Sequence, residues 1–193
     1  MLPPLVFLRH GETAWNVEAR LQGQRDIPLN DRGRAQAKRN GETIIREIPG
    51  VADYDFVSSP LGRSRETMEI ARTAMGLDPT AYRLDDRLKE ISFGDWEGFT
   101  LAELRERHGA LVAARERDKW GFLPPNGESY AILLDRIDAW LATLERPTFA
   151  VSHGGVGRVV RARLLGADRA KAVAAHFPQD RLLVIEGGQG RWV

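Results

Sequence analysis

The chain has 193 residues, enough for one domain with a substantial core and short for two. Apolar residues make up 42% and charged residues 28%, an ordinary balance for a soluble globular protein, and no apolar run reaches membrane-spanning length. With 28 basic and 27 acidic residues the net charge is +1, which argues against a nucleic-acid or membrane partner, and zero cysteines exclude disulfides, thiolate metal sites and a cysteine nucleophile.

Met1-Leu2-Pro3-Pro4 leads into the first strand without the features of a signal peptide, so a cytoplasmic location is expected. That strand runs from Leu5 to Arg9 and ends in His10-Gly11-Glu12-Thr13. Asn30-Asp31-Arg32-Gly33 opens a helix to about Ile48, with Ala35, Ala37, Ile44, Ile45 and Ile48 on its apolar face and a stop at Pro49-Gly50. A second strand spans Tyr54 to Ser58, a helix runs from about Leu61 to Met75, and a short third strand lies near Ala81 to Leu84. Thr100 to Trp120 reads as one or two polar helices, and Pro124-Pro125-Asn126-Gly127 breaks the chain. The next helix carries Ile132, Leu133, Ile137, Trp140, Leu141 and Leu144 at core-face spacing. A fourth strand covers Phe149 to Ser152, a helix Val156 to Leu165, and a last strand Arg181 to Glu186. Alternating strands and helices predict a single α/β domain over residues 1–193, with a largely parallel sheet and helices on both faces.

Parallel strands bring their carboxyl ends to one edge, where ligands bind. The strands ending at Arg9-His10-Gly11 and at Ser152-His153-Gly154-Gly155 would therefore place two histidines and an arginine together, each histidine followed by a glycine that lets the backbone turn tightly and approach a ligand. Arg outnumbers Lys 24 to 4, but only position promotes an individual arginine. Arg63 has that position, in the first turn of the helix after the second strand, where backbone N–H groups favour an anion. Arg65 points elsewhere. Lys89, Glu90, Asp95 and Glu97 surround a glycine-rich turn after Leu88, and spacing alone does not choose among them. His108, with Gly109, and His176 read as helix-end residues. Core packing for His10 and His153, a solvated role for Arg63 or Glu90, and a turn or cap role for Asn16 stay open on residue type alone. A metal held by two histidines and a glutamate is disfavoured, because Arg9 and Arg63 would repel it.

Leu8-Arg9-His10-Gly11-Glu12-Thr13, Ser59-Pro60-Leu61 leading to Arg63, Leu88-Lys89-Glu90 and Ser152-His153-Gly154-Gly155 together resemble the histidine phosphatase superfamily, across most of the chain. The resemblance implies a three-layer α/β/α fold of the phosphoglycerate mutase type. It makes His10 the nucleophile that becomes phosphorylated, Arg9, Arg63 and His153 the phosphate pocket, and Glu90 the proton donor. Asn16 matches a phosphate contact, and Gln22, Gly23 and Gly154 join it as expected phosphate-binding positions. The implied activity is hydrolysis of small-molecule phosphomonoesters with no metal or other cofactor; a homodimer is left open. The rival readings are a phosphoglycerate mutase and an inactive phospho-ligand binding protein. Two features favour hydrolysis over the mutase: Ile91-Ser92 stands where the mutases carry Arg-His, and residues 94–126 leave room for only a short lid. Gly-Glu-Ser at 127–129 is similar to the phosphatase branches. Two departures remain, Ser64 where relatives often have Ala, and Gly157 in the helix after His153. Trp15, Trp96, Phe99, Trp120 and Phe122 are candidates to line a leaving-group pocket.

Overall fold

The computed structural model describes residues 2–193. Its elements are β1 (Leu5–Arg9), α1 (Ala14–Val17), α2 (Asp31–Glu47), β2 (Asp55–Ser58), α3 (Gly62–Ala74), β3 (Arg83–Leu84), α4 (Leu101–Arg117), α5 (Tyr130–Leu141), β4 (Thr148–Ser152), α6 (Gly154–Leu165), α7 (Arg169–Ala174), β5 (Leu182–Glu186) and β6 (Gln189–Trp192). The helix starts follow local capping chemistry. Asn30 accepts from the Gly33 N–H, Ser129 from the Ile132 N–H, and Thr100 and Glu103 cap each other reciprocally.

One six-stranded sheet runs in the order β3-β2-β4-β1-β5-β6, the first four strands mutually parallel and β5 and β6 antiparallel. Alternation along β1 splits the core. Leu5 and Phe7 face a layer with α5 and α6, where Leu133, Ile137, Trp140, Val156 and Val160 are buried. Val6 and Leu8 face α2 and α3 through Ile44, Met68 and Ala71. The single-domain α/β expectation holds, and among the described residues no helix is long and apolar enough to cross a membrane.

Several details differ from the sequence expectation. The last expected strand is antiparallel to β1, and β6 was not anticipated; Gly187 and Gly188, both at positive φ, form the tight turn between β5 and β6. The buried face of α2 uses Gly33, Gln36, Ala37, Asn40, Gly41 and Ile44, while Ala35 and Ile45 face outward. Ile132 is 44% exposed rather than a core residue, and Leu144 is buried beyond the end of α5. His108 breaks α4 at a kink where φ is −139° and ψ is 42°, so Leu101–Arg117 is two helical pieces and the expected helix end at His108 stands. His176 is exposed just after α7. Residues 94–126 enclose a small apolar cluster of their own, Trp96, Leu104 and Val112, with Phe99 and Phe122 against it.

Candidate active site

The register of the parallel strands assembles the site. Arg9 pairs with Ser152 across β1 and β4, and the His10 N–H donates to the Ser152 carbonyl at 2.9 Å. The two histidines that follow come together with ring centroids 5.2 Å apart, edge to face. β2 ends beside β4, and its Ser59 hydroxyl lies 2.8 Å from His153 Nε2. Gly11 serves a role other than the one expected. Its Cα packs against the backbone of Gly33, 2.3 Å from where a Cβ would sit, so it closes the turn against α2 rather than approaching a ligand.

His10 is 3% exposed. Its Nδ1 lies 2.7 Å from the Gly11 carbonyl, which can only accept, so Nδ1 carries the proton and Nε2 keeps its lone pair. Arg63 Nε donates to that Nε2 at 3.3 Å. Burial first, then the charges of Arg63 and Arg9, hold the His10 imidazole well below the usual histidine range. His153 is held low for the same reasons, with burial leading. Its Nε2 is served by the Ser59 and Ser64 hydroxyls, which gives Ser64 a structural purpose, and its Nδ1 is buried without a protein partner.

Arg63 is fixed by main chain, donating to the Arg25 carbonyl at 2.6 Å and the Gly23 carbonyl at 2.7 Å. The start of α3 is in turn capped by Asp26, which accepts from the Gly62 and Arg63 N–H groups. Thr67 accepts from the Gly11 N–H and donates to the Arg63 carbonyl, tying the two motifs together. Arg9 donates to the Phe177 carbonyl at 2.8 Å, and its Nε is buried without a partner. Phe177 packs directly on Gly157, where a Cβ would lie 2.4 Å from the ring, so this glycine makes room for the residue that holds Arg9.

Of the four charged residues around the turn after Leu88, Glu90 alone lines the cavity. Its carboxylate accepts from the N–H groups of Ile91 at 3.0 Å and Gly155 at 3.1 Å. Its carbonyl accepts from Gln24 and Arg136, and Arg136 is paired with Glu128 of the Gly-Glu-Ser stretch at 2.9 Å. Lys89 pairs with Asp86, Asp95 with Asn126, and Glu97 accepts from the Gln24 and Phe93 N–H groups.

Asn16 both caps and lines. Its Oδ1 accepts from Thr13 and from Gln179 Nε2, which also donates to the His10 carbonyl, so its Nδ2 is left for a ligand. Gln22, Gly23 and Gly154 also line the cavity, whose volume is about 140 Å³. His153 lies behind His10 and does not line it. The remaining walls are Gly155 and Ile91, both named from sequence, with Arg20, Leu21, Phe93, Tyr130 and Arg158. Arg158 carried a readable signal, one helical turn after Gly154; Arg20 and Leu21, in a loop, carried none. The expected aromatics lie elsewhere: Trp96 is buried in the 94–126 cluster with Phe122 stacked on it, Phe99 packs against the same cluster, Trp120 stacks on Tyr130, and Trp15 packs near Gly98.

Comparison with known proteins agrees with this geometry. The histidine phosphatase superfamily (branch 1) matches residues 5–193. A glucosyl-3-phosphoglycerate phosphatase from Mycolicibacterium vanbaalenii is 34% identical over 98% of this chain and 82% of its own. A probable phosphoglycerate mutase GpmB from Salmonella paratyphi C is 38% identical over 76% of this chain and 67% of its own. Among solved structures, a putative alpha-ribazole-5'-P phosphatase from Escherichia coli superposes with a TM-score of 0.82 at 25% identity, covering 100% of this chain and 95% of that one.

Proposed function

The chain belongs to branch 1 of the histidine phosphatase superfamily, and we propose that it hydrolyses small-molecule phosphomonoesters through a phosphohistidine on Nε2 of His10, with no metal in the reaction. The observation that carries this reading is the tautomer of His10: Nδ1 is tied to the Gly11 carbonyl, Nε2 is unprotonated, and Arg63 lies beside it. A neutral imidazole can attack without first losing a proton.

In the first step Nε2 bonds to phosphorus while the ester P–O bond breaks, and Glu90 gives its proton to the departing alkoxide. In the second, water attacks phosphorus, the N–P bond breaks, and the Glu90 carboxylate takes a proton from that water. Charge on the phosphoryl oxygens is met by Arg9, Arg63, Nδ2 of Asn16, the amide of Gln22 and the N–H of Gly154 at the start of α6, with His153 buried edge to face against His10. Gly23 contributes by holding Arg63 through its carbonyl. Residues 94–126 serve as a short cover over the site. Ile91 occupies the wall where a mutase would present a further cation, which favours release of free phosphate over its return to a bound acceptor.

The test is an EDTA-treated assay on a panel of phosphomonoesters, including 3-phosphoglycerate with and without 2,3-bisphosphoglycerate. Free phosphate as the main product is the expected result. Conversion of 3-phosphoglycerate mainly to 2-phosphoglycerate would replace the phosphatase with a mutase, and inactivity across the panel would leave a phospho-ligand binding protein.

A further inference from the structure

Arg9 and Arg158 line the cavity, and Lys119 and Arg115 stand near them outside it, more positive charge than a single phosphoryl group needs. Lys119 Nζ donates to the Val173 carbonyl at 2.7 Å, Arg158 Nε to the Ala175 carbonyl at 2.9 Å, and Arg9 Nη1 to the Phe177 carbonyl at 2.8 Å. Alternate carbonyls of one stretch of chain thus hold three cations in a row, each by one donor, leaving the other donors of each cation uncommitted to that stretch. Arg115 is buried within Coulombic reach of Arg158. Among the described residues none of these four makes an ion pair with a carboxylate, in a chain where sixteen other pairs form.

Gathering partly buried like charges without paired carboxylates is unfavourable, and its mark is on the groups themselves, although Glu90 partly offsets it at Arg9 and Glu116 at Arg115. Burial, then Arg158, brings the Arg9 guanidinium down to about 10. Burial, then Arg115 and Arg158, brings the Lys119 ammonium down to about 8. Glu90 is the only carboxylate lining the cavity, and its oxygens are already engaged by two backbone N–H groups. Arg158 itself lines the cavity, 3.6 Å from the point where a Cβ on Gly154 would sit, with Arg9 3.3 Å from the same point, so the two guanidinium groups flank the start of α6. The buried Tyr130 hydroxyl sits beside Arg158 and adds a neutral donor. A ligand that brings its own second negative charge would complete this wall.

We propose that Arg158, backed by Arg115 and Lys119, forms a second anion subsite that binds an acidic group, carboxylate or phosphate, on the alcohol part of the substrate. The preferred substrates are then phosphate esters of acidic alcohols. The assignment of the reacting group rests on the phosphatase reading; the subsite itself is a statement about binding and is tested without turnover.

Calorimetry on His10→Ala protein with two matched pairs separates the cases: 3-phosphoglycerate against glycerol 3-phosphate, and fructose 1,6-bisphosphate against fructose 6-phosphate. Binding of the doubly acidic member at least tenfold tighter in one pair supports the subsite and identifies the acid as carboxylate or phosphate. Arg158→Gln on that background should bring the preferred pair to within about twofold, and Lys119→Gln should weaken the preference in the same direction should the arginine variant not fold. Equal affinities within both pairs, or a preference that survives both substitutions, would overturn the proposal. Phosphate release by the unsubstituted enzyme is scored separately, so loss of the phosphatase reading leaves the binding result intact.

Discussion

The edge of the sheet and residues 94–126 differ in how far side-chain ties place them. At the edge, Arg9, His10 and Arg63 are each anchored to main-chain carbonyls, and His10 is placed by strand register. Residues 94–126 are held by both kinds of tie: Gly98 and Phe99 exchange main-chain hydrogen bonds with Leu21, while Glu97 takes the Gln24 and Phe93 N–H groups and Glu103 pairs with Arg20. Geometry fixed by backbone tolerates substitution around it, whereas geometry fixed by a few carboxylates can be altered one residue at a time. The reacting groups are thus held by ties that a side-chain substitution elsewhere does not remove, whereas the walls beside them, Tyr130 and Arg158 among them, stand on side chains that can be exchanged.

Removing the reacting group from the edge should have the largest effect. His10→Ala is expected to lower kcat by about 10⁵-fold or more and to abolish acid-labile labelling by substrate phosphate. Persistence of either would remove the nucleophile from the edge and dissolve the contrast.

Cutting a tie between the two regions should cost less. Glu97→Ala leaves part-buried N–H groups of Gln24 and Phe93 without an acceptor and frees the loop whose Gly23 carbonyl holds Arg63. A loss of about 2 kcal/mol in urea unfolding and a fall of about tenfold in kcat/KM are expected. Full activity with the same stability loss would show that residues 94–126 can loosen without disturbing the edge.

The smallest effect is the pH dependence of stability. His10 and His153 are held low in the fold, chiefly by burial and next by Arg63, while in the unfolded chain they titrate near 6.5. Below that pH the unfolded state takes up protons that the native state refuses, so stability should fall as pH drops through about 6.5. In His10→Asn the urea midpoint should decline less steeply between about pH 6.5 and 5, and an unchanged slope would place the acid sensitivity elsewhere.

The contrast also governs what the sequence made legible. β1 and β4 were readable because apolar β-branched and aromatic runs end abruptly in polar motifs, and parallel pairing carries those ends to one edge. Arg63 was placed by its helix start, and Glu90 emerged from its neighbours once Lys89, Asp95 and Glu97 were seen to be engaged by other groups. Tyr130 and Phe93 were not singled out, because an aromatic at the start of a helix or in a turn reads equally as packing. β6 had a signal in Gly187-Gly188 that composition alone did not promote to a turn. The break at His108 was readable from His108-Gly109, whereas the outward Ile132 depends on what packs against a helix, which periodicity does not specify.

Gln179 reaches the His10 carbonyl across 169 residues of chain, and Arg9 reaches Phe177 across 168. Contacts of that sequence separation close late in folding, because the loop entropy must be overcome before they form. Helices α2 to α5 can be in place while the reacting pocket does not yet exist. On refolding, catalytic competence should lag helical structure, and a nascent chain stays inert until the segment carrying Phe177 and Gln179 is free to reach Arg9 and His10.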